Sequence, residues 1–130
     1  MSDSRPLHWV SPHSAWQLAV GFTVWSLWFV AVYGGLSVGC ATAPPGAARG
    51  PFTGLNLALL VLTLATVIVL LGAAWICLQA WRSAQAPSQR GTEGAVRRRF
   101  MAGLAALLHL SAALATVFVG LPLLWLPPCL

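Results

Sequence analysis

Residues 15–39, 55–81 and 100–126 of this chain each run without a single Asp, Glu, Lys or Arg. Each run exceeds the roughly 20 helical residues needed to cross a hydrocarbon core of about 30 Å. Inside that core no water pairs with backbone N–H and C=O groups, so a spanning segment must close its own hydrogen bonds. A barrel strand would show alternating polarity over about 10 residues. These runs are longer and do not alternate. The sequence therefore predicts an all-α integral membrane protein, a single membrane domain over 1–130 with three transmembrane helices.

Composition excludes the soluble alternatives. Hydrophobic residues make up 58% of the chain and charged residues 7%, too few charges for a surface that faces water. The net charge is +5, and all the basic residues are arginine. Nucleic-acid binding would need a basic face on a folded module, whereas here the arginines cluster between apolar runs. No nucleic-acid partner is expected. The lipid bilayer is.

Arginine placement sets an expected orientation. Arg82, Arg90, Arg97, Arg98 and Arg99 lie in the 82–99 segment, opposed by Glu93 alone, while the 41–54 loop carries only Arg49. Short loops rich in arginine stay on the cytoplasmic side. The expectation is an N-in/C-out bundle in a bacterial inner membrane, with 82–99 as a cytoplasmic basic loop and 41–54 periplasmic. Arg97, Arg98 and Arg99 then read as a topology anchor, the favoured reading over a hold on anionic lipid headgroups. Pro44, Pro45, Gly46, Gly50 and Pro51 make the first loop non-helical. Trp9, Trp16, Trp75, Trp81 and Trp125 fall near expected interfaces.

Two processing signals compete with this topology. The first run is long for a secretory h-region and lacks a clear A-x-A site. Ser37-Val38-Gly39-Cys40 loosely resembles a lipobox, but serine stands where leucine is usual. Cys129 is penultimate and does not fit a prenylation box.

Small and weakly polar residues mark packed faces where lipid removes the hydrophobic drive between helices. In the first helix Thr23, Ser26, Tyr33, Ser37 and Cys40 form one such stripe; in the second, Asn56, Thr63, Thr66, Ala73 and Cys77; in the third, Ala102, Ala106, His109, Ala113, Thr116 and Gly120. Gly35 and Gly39 offer a close approach, and Pro122 should bend or end the third helix. Trp28, Leu59, Leu70, Leu107 and Leu114 lie off these stripes and are expected to face lipid or a partner.

Few residues can carry chemistry. Cys40 and Cys129 end the first and third helices at one depth, on the oxidising side of the expected topology. A structural disulfide is the leading expectation. Free thiols, a metal pair and an exchanging redox pair stay open. Cys77 reads as a small packing residue. His109 is the ionisable group at mid-depth, and so a candidate cofactor contact. Its plainer reading is a neutral imidazole bonded to Thr63, Thr66 or a first-helix hydroxyl. His8 and His13 lie on the wrong side for a second haem ligand. Asp3 and Glu93 provide no carboxylate pair, and no phosphate loop, metalloprotease motif or nucleophile elbow occurs. The expectation is no enzyme, no metal site and no bound cofactor.

The run Trp25-Ser-Leu-Trp28-Phe29-Val-Ala-Val-Tyr33-Gly34, closed by Cys40, resembles the first-helix signature of uncharacterised small three-helix proteobacterial membrane proteins. Those carry W-x-x-H-F-x-x-x-Y-G, then a basic loop, Arg-Phe, and a Leu-Pro tail ending in Pro-Pro-Cys. Counterparts here are Arg99-Phe100, Leu121-Pro122 and Pro127-Pro128-Cys129. The resemblance spans nearly the whole chain. It implies an association with gene clusters for haem–copper cytochrome c oxidases and their assembly factors. Trp28 stands where the family has histidine, so a metal or haem role of that histidine does not carry over, and His109 does not replace it. Together these readings predict an accessory or assembly protein of a respiratory membrane complex, with Trp25, Trp28, Phe29 and Tyr33 as its packing or partner face. The rivals are a haem- or copper-handling protein and an orphan structural membrane protein with no cofactor.

Overall fold

The computed structural model describes residues 16–42, 53–85, 93–126 and Cys129. Helix α1 spans Trp16–Thr42, α2 Gly54–Ser83 and α3 Glu93–Gly120, followed by the short α4, Pro122–Trp125. Three helical segments, Trp16–Thr42, Gly54–Ser83 and Gly94–Trp125, are long and apolar enough to cross a membrane. At 1.5 Å per residue each outruns a hydrocarbon core of about 30 Å. The expected positions of Arg5, His8, Trp9, His13, Asp3, Arg49, Arg90 and the proline-rich first loop lie outside the described residues.

Local signals decide the helix ends. Thr53 caps α2, its hydroxyl accepting from the Asn56 N–H at 3.2 Å. Arg82 occupies the last turn of α2, where a cation complements the helix dipole. At the other end of the third segment, Pro122 has no N–H to continue the ladder, so α3 stops at Gly120 and the chain restarts as α4. The Asn56 amide donates to the carbonyls of Leu123 (3.0 Å) and Leu126 (3.2 Å). One α2 side chain thereby supplies donors to carbonyls at the end of the third segment, which the helix itself leaves open.

The 82–99 segment is not wholly a loop. Because α3 begins at Glu93, Arg97, Arg98 and Arg99 ride on its first turns and are exposed.

All three long helices touch one another in an up-down-up bundle, with α2 and α3 packed most extensively. Its α2–α3 seam follows the expected stripes. Asn56, Thr63, Thr66 and Cys77 are buried from α2, as are Ala102, Ala106, His109, Ala113 and Thr116 from α3. Gly120 is also buried. A Cβ on Gly120 would come within 2.7 Å of Thr63 Cγ2, so the bare glycine is what lets α3 seat on that methyl.

The first helix departs from expectation. It buries Gly21, Trp28 and Val32, while Thr23, Tyr33 and Ser37 are exposed. The physical reason lies in hydroxyl chemistry. Thr23 satisfies its hydroxyl on the Ala19 carbonyl of its own helix at 2.8 Å, so it needs no neighbour. An indole N–H has no such local acceptor, and Trp28 turns inward to donate to Thr63 Oγ1 at 3.1 Å. Thr63 in turn donates to the Leu59 carbonyl at 2.8 Å. Trp28, Leu59 and Leu70, expected to face lipid, are buried at 3%, 6% and 1% exposure; Leu107 and Leu114 do face outward. Gly35 and Gly39 serve as notches for α2 side chains: added Cβ atoms would meet Leu59 Cδ2 at 3.1 Å and Leu55 Cδ2 at 2.7 Å.

Candidate functional site

Cys40, on the last turn of α1, and Cys129, beyond α4, form a disulfide with their Cα atoms 5.6 Å apart. The bond ties the lightly packed first helix to the end of the third segment, over a sequence separation of 89. It also engages the sulfur that the loosely lipobox-like Ser37–Cys40 run would have offered to a lipid. Cys77 is the remaining free cysteine among the described residues, buried against Ala105 and Ala106.

His109 is buried where α3 meets α1, 1% exposed. Its Nδ1 lies 2.7 Å from the Ala105 carbonyl of its own helix. A carbonyl only accepts, so Nδ1 carries the proton and Nε2 presents a lone pair. That Nε2 is buried with no hydrogen-bond partner. It faces Gly21 of α1, where a Cβ would stand 3.0 Å away. The expected bonds from His109 to Thr63, Thr66 or a first-helix hydroxyl do not form. Thr63 and Thr66 spend their protons on the Leu59 and Leu62 carbonyls, an option the helix offers every threonine. Among the described residues no group of three or more His, Cys, Asp or Glu could together hold a metal ion.

The aromatic residues of α1 divide between two faces. Trp28 is inside, held by Thr63, and its indole N–H has no lone pair with which to ligate a metal. Of its two expected roles, packing or partner face, Trp28 takes the packing one. Phe22, Trp25, Phe29 and Tyr33 instead form a ladder along the helix, with successive ring centroids 6.3, 5.4 and 4.5 Å apart. Phe22 and Tyr33 are more than half exposed and Phe29 is 36% exposed. Trp25 is half-buried, and its Nε1 is enclosed without an acceptor.

At the opposite end from the disulfide, the Arg99 guanidinium lies 5.4 Å from the centroid of the Trp81 ring. Trp81 rests against Gly103, whose added Cβ would meet the indole at 3.2 Å. Sequence reasoning missed Gly21 and Gly103. Both could have been found by asking which glycine faces a bulky residue on a neighbouring helix. Gly21, Trp28, Val32, Gly35 and Gly39 follow one another at helical spacings of seven, four, three and four.

No family model, curated protein or solved structure matches this chain.

Proposed function

We propose that this protein is a non-enzymatic accessory or assembly subunit of a respiratory membrane complex, a haem–copper terminal oxidase, in a bacterial inner membrane. The observation that supports it most is the outward face of Phe22, Phe29 and Tyr33, laddered through the half-buried Trp25. It lies on the helix with the least of its surface engaged inside the bundle. Aromatic side chains contribute large contact area at small entropic cost, which suits a face that docks on a larger apolar protein. The resemblance of the Trp25–Gly34 run to uncharacterised membrane proteins of oxidase gene clusters supports an oxidase as that larger protein.

In this reading the arginine end is cytoplasmic, the N-terminus is inside, and the disulfide end faces the periplasm, where thiols are oxidised. The disulfide keeps α1 on the bundle while its aromatic face engages a partner. Affinity purification of a tagged copy from native membranes tests the proposal. Oxidase subunits should co-purify, and a joint Phe22→Ala, Phe29→Ala, Tyr33→Ala variant should lose them while keeping its own thermal midpoint. Recovery of no oxidase subunit by the native chain would leave an orphan structural protein.

A second reading rests on the unpartnered, buried His109 Nε2. A lone pair fixed by an Nδ1–H···O=C bond is oriented as a ligating imidazole is, which suits a haem- or copper-handling role once α1 moves aside. A Soret band or stoichiometric copper in purified protein, lost in His109→Ala, would support this reading; a colourless, metal-free sample argues against it.

A further inference from the structure

All formal charges in the described helices gather at one end of the bundle: Arg82 in α2, and Glu93, Arg97, Arg98 and Arg99 in α3. The other end, around Thr42, Thr53, Leu126 and Cys129, has none among the described residues. We propose that the corner built by Trp81, Arg99 and Gly103 binds the phosphate of an anionic phospholipid headgroup, through the guanidinium group of Arg99.

Three observations point to a lipid. Arg99 lies where the apolar spans end, the depth at which headgroup phosphates sit. Trp81 belongs at that level, where an indole has both an apolar body and a polar edge. Finally, Arg99 is ordered beforehand by its stack on Trp81, and Trp81 is ordered by the Gly103 notch. A guanidinium already fixed in direction loses less freedom when it grips an anion. A topology signal needs only charge count near the helix end, so it requires neither the stack nor the notch. A phosphate receptor gains from both, because each fixes the guanidinium before the anion arrives. Arg97 and Arg98 add unfocused attraction to the same leaflet. The inference holds whichever side of the membrane this end occupies.

Purified full-length protein in a neutral detergent, titrated with dioleoylphosphatidylglycerol or dioleoylphosphatidylcholine, tests it, with bound lipid counted by native mass spectrometry. The anionic lipid should bind at least about fivefold more tightly, and Arg99→Gln should reduce that preference by about fivefold. Arg99→Lys keeps the charge but loses the planar fork and the stack, so a smaller reduction is expected. It also serves as the working variant if Arg99→Gln does not fold. Gly103→Val, which displaces Trp81 without touching charge, should weaken the preference too, while Trp125→Leu at the far end should not. Equal binding of the two lipids by the native chain would overturn the proposal, as would an undiminished preference in Arg99→Gln. Displacement of the lipid by an equimolar glutamate-rich peptide would overturn it in favour of an acidic protein partner.

Discussion

The α2–α3 seam and the α1 interface are built from different residues, alanines and threonines in the one and Gly21, Trp28 and Val32 on the α1 side of the other, and they end in different states. Along the seam, small residues interlock and hydroxyls are satisfied: Thr63, Thr66 and Thr116 each donate to a carbonyl of their own helix, and Gly120 receives the Thr63 methyl. Where α1 packs, two buried polar atoms have no partner, Nε1 of Trp25 and Nε2 of His109. An unmet buried polar group costs about 1–3 kcal/mol. The α1 span is also the least buried of the three, 17% against 28% and 33%. The contrast teaches that α2 and α3 form the closely packed pair, while α1 is a more lightly packed flank secured at one end by the disulfide and at its middle by Trp28.

Reduction should sharpen this contrast most. Opening Cys40–Cys129 releases a closed loop of 89 residues' separation, worth at most about 4–5 kcal/mol in the chain-entropy picture. The bilayer already confines the chain, so the loss should fall below that bound. Hydrogen exchange should rise along α1 and change little in α2 and α3. A uniform rise across all three would erase the distinction.

Next in size is Gly120→Ala, which forces α3 off Thr63 and should cost about 1–3 kcal/mol, read from the thermal midpoint in detergent. Gly21→Ala should cost less, because α1 can yield where the seam cannot. Its Cβ would press on an imidazole held from behind by Ala105. A double-mutant cycle with His109→Ala should return a coupling of about 0.5–3 kcal/mol; strict additivity would mean the two residues do not meet. Trp28→Phe removes the one side-chain hydrogen bond described between α1 and α2 and should cost about 0.5–1.5 kcal/mol. Smallest is Phe29→Ala on the outward ladder, within about 0.5 kcal/mol for stability, although recovery of a co-purifying complex should fall.

Much of the fold was legible in the residues. The three spans followed from charge-free length, because lipid leaves a spanning backbone only its own hydrogen bonds. Most of both seam stripes was legible as well, Asn56–Thr63–Thr66–Cys77 and Ala102–Ala106–His109–Ala113–Thr116–Gly120, since small residues at helical spacing have little other use in such runs; Ala73, expected in the first, is half-buried, and Ala74 takes the buried position instead. The pairing of Cys40 with Cys129 was an expectation from depth alone, left open until their Cα atoms were seen 5.6 Å apart.

The face of α1 was not legible, and the reason is physical. A threonine or serine in a helix can satisfy itself on the carbonyl four residues back, so weak polarity does not say which way a helix turns. The sequence leaves the indole of Trp28 facing lipid, a partner or a packed neighbour; its N–H finds its acceptor, Thr63, on a neighbouring helix. Likewise the sequence placed His109 at depth, yet the direction of each ring nitrogen depended on which carbonyl and which glycine lay beside it. Length, absence of charge and small-residue spacing are properties of one strand of chain and were decided by the sequence. Which atoms of different helices meet, and which buried atom is left without a partner, exist only once the helices are packed together.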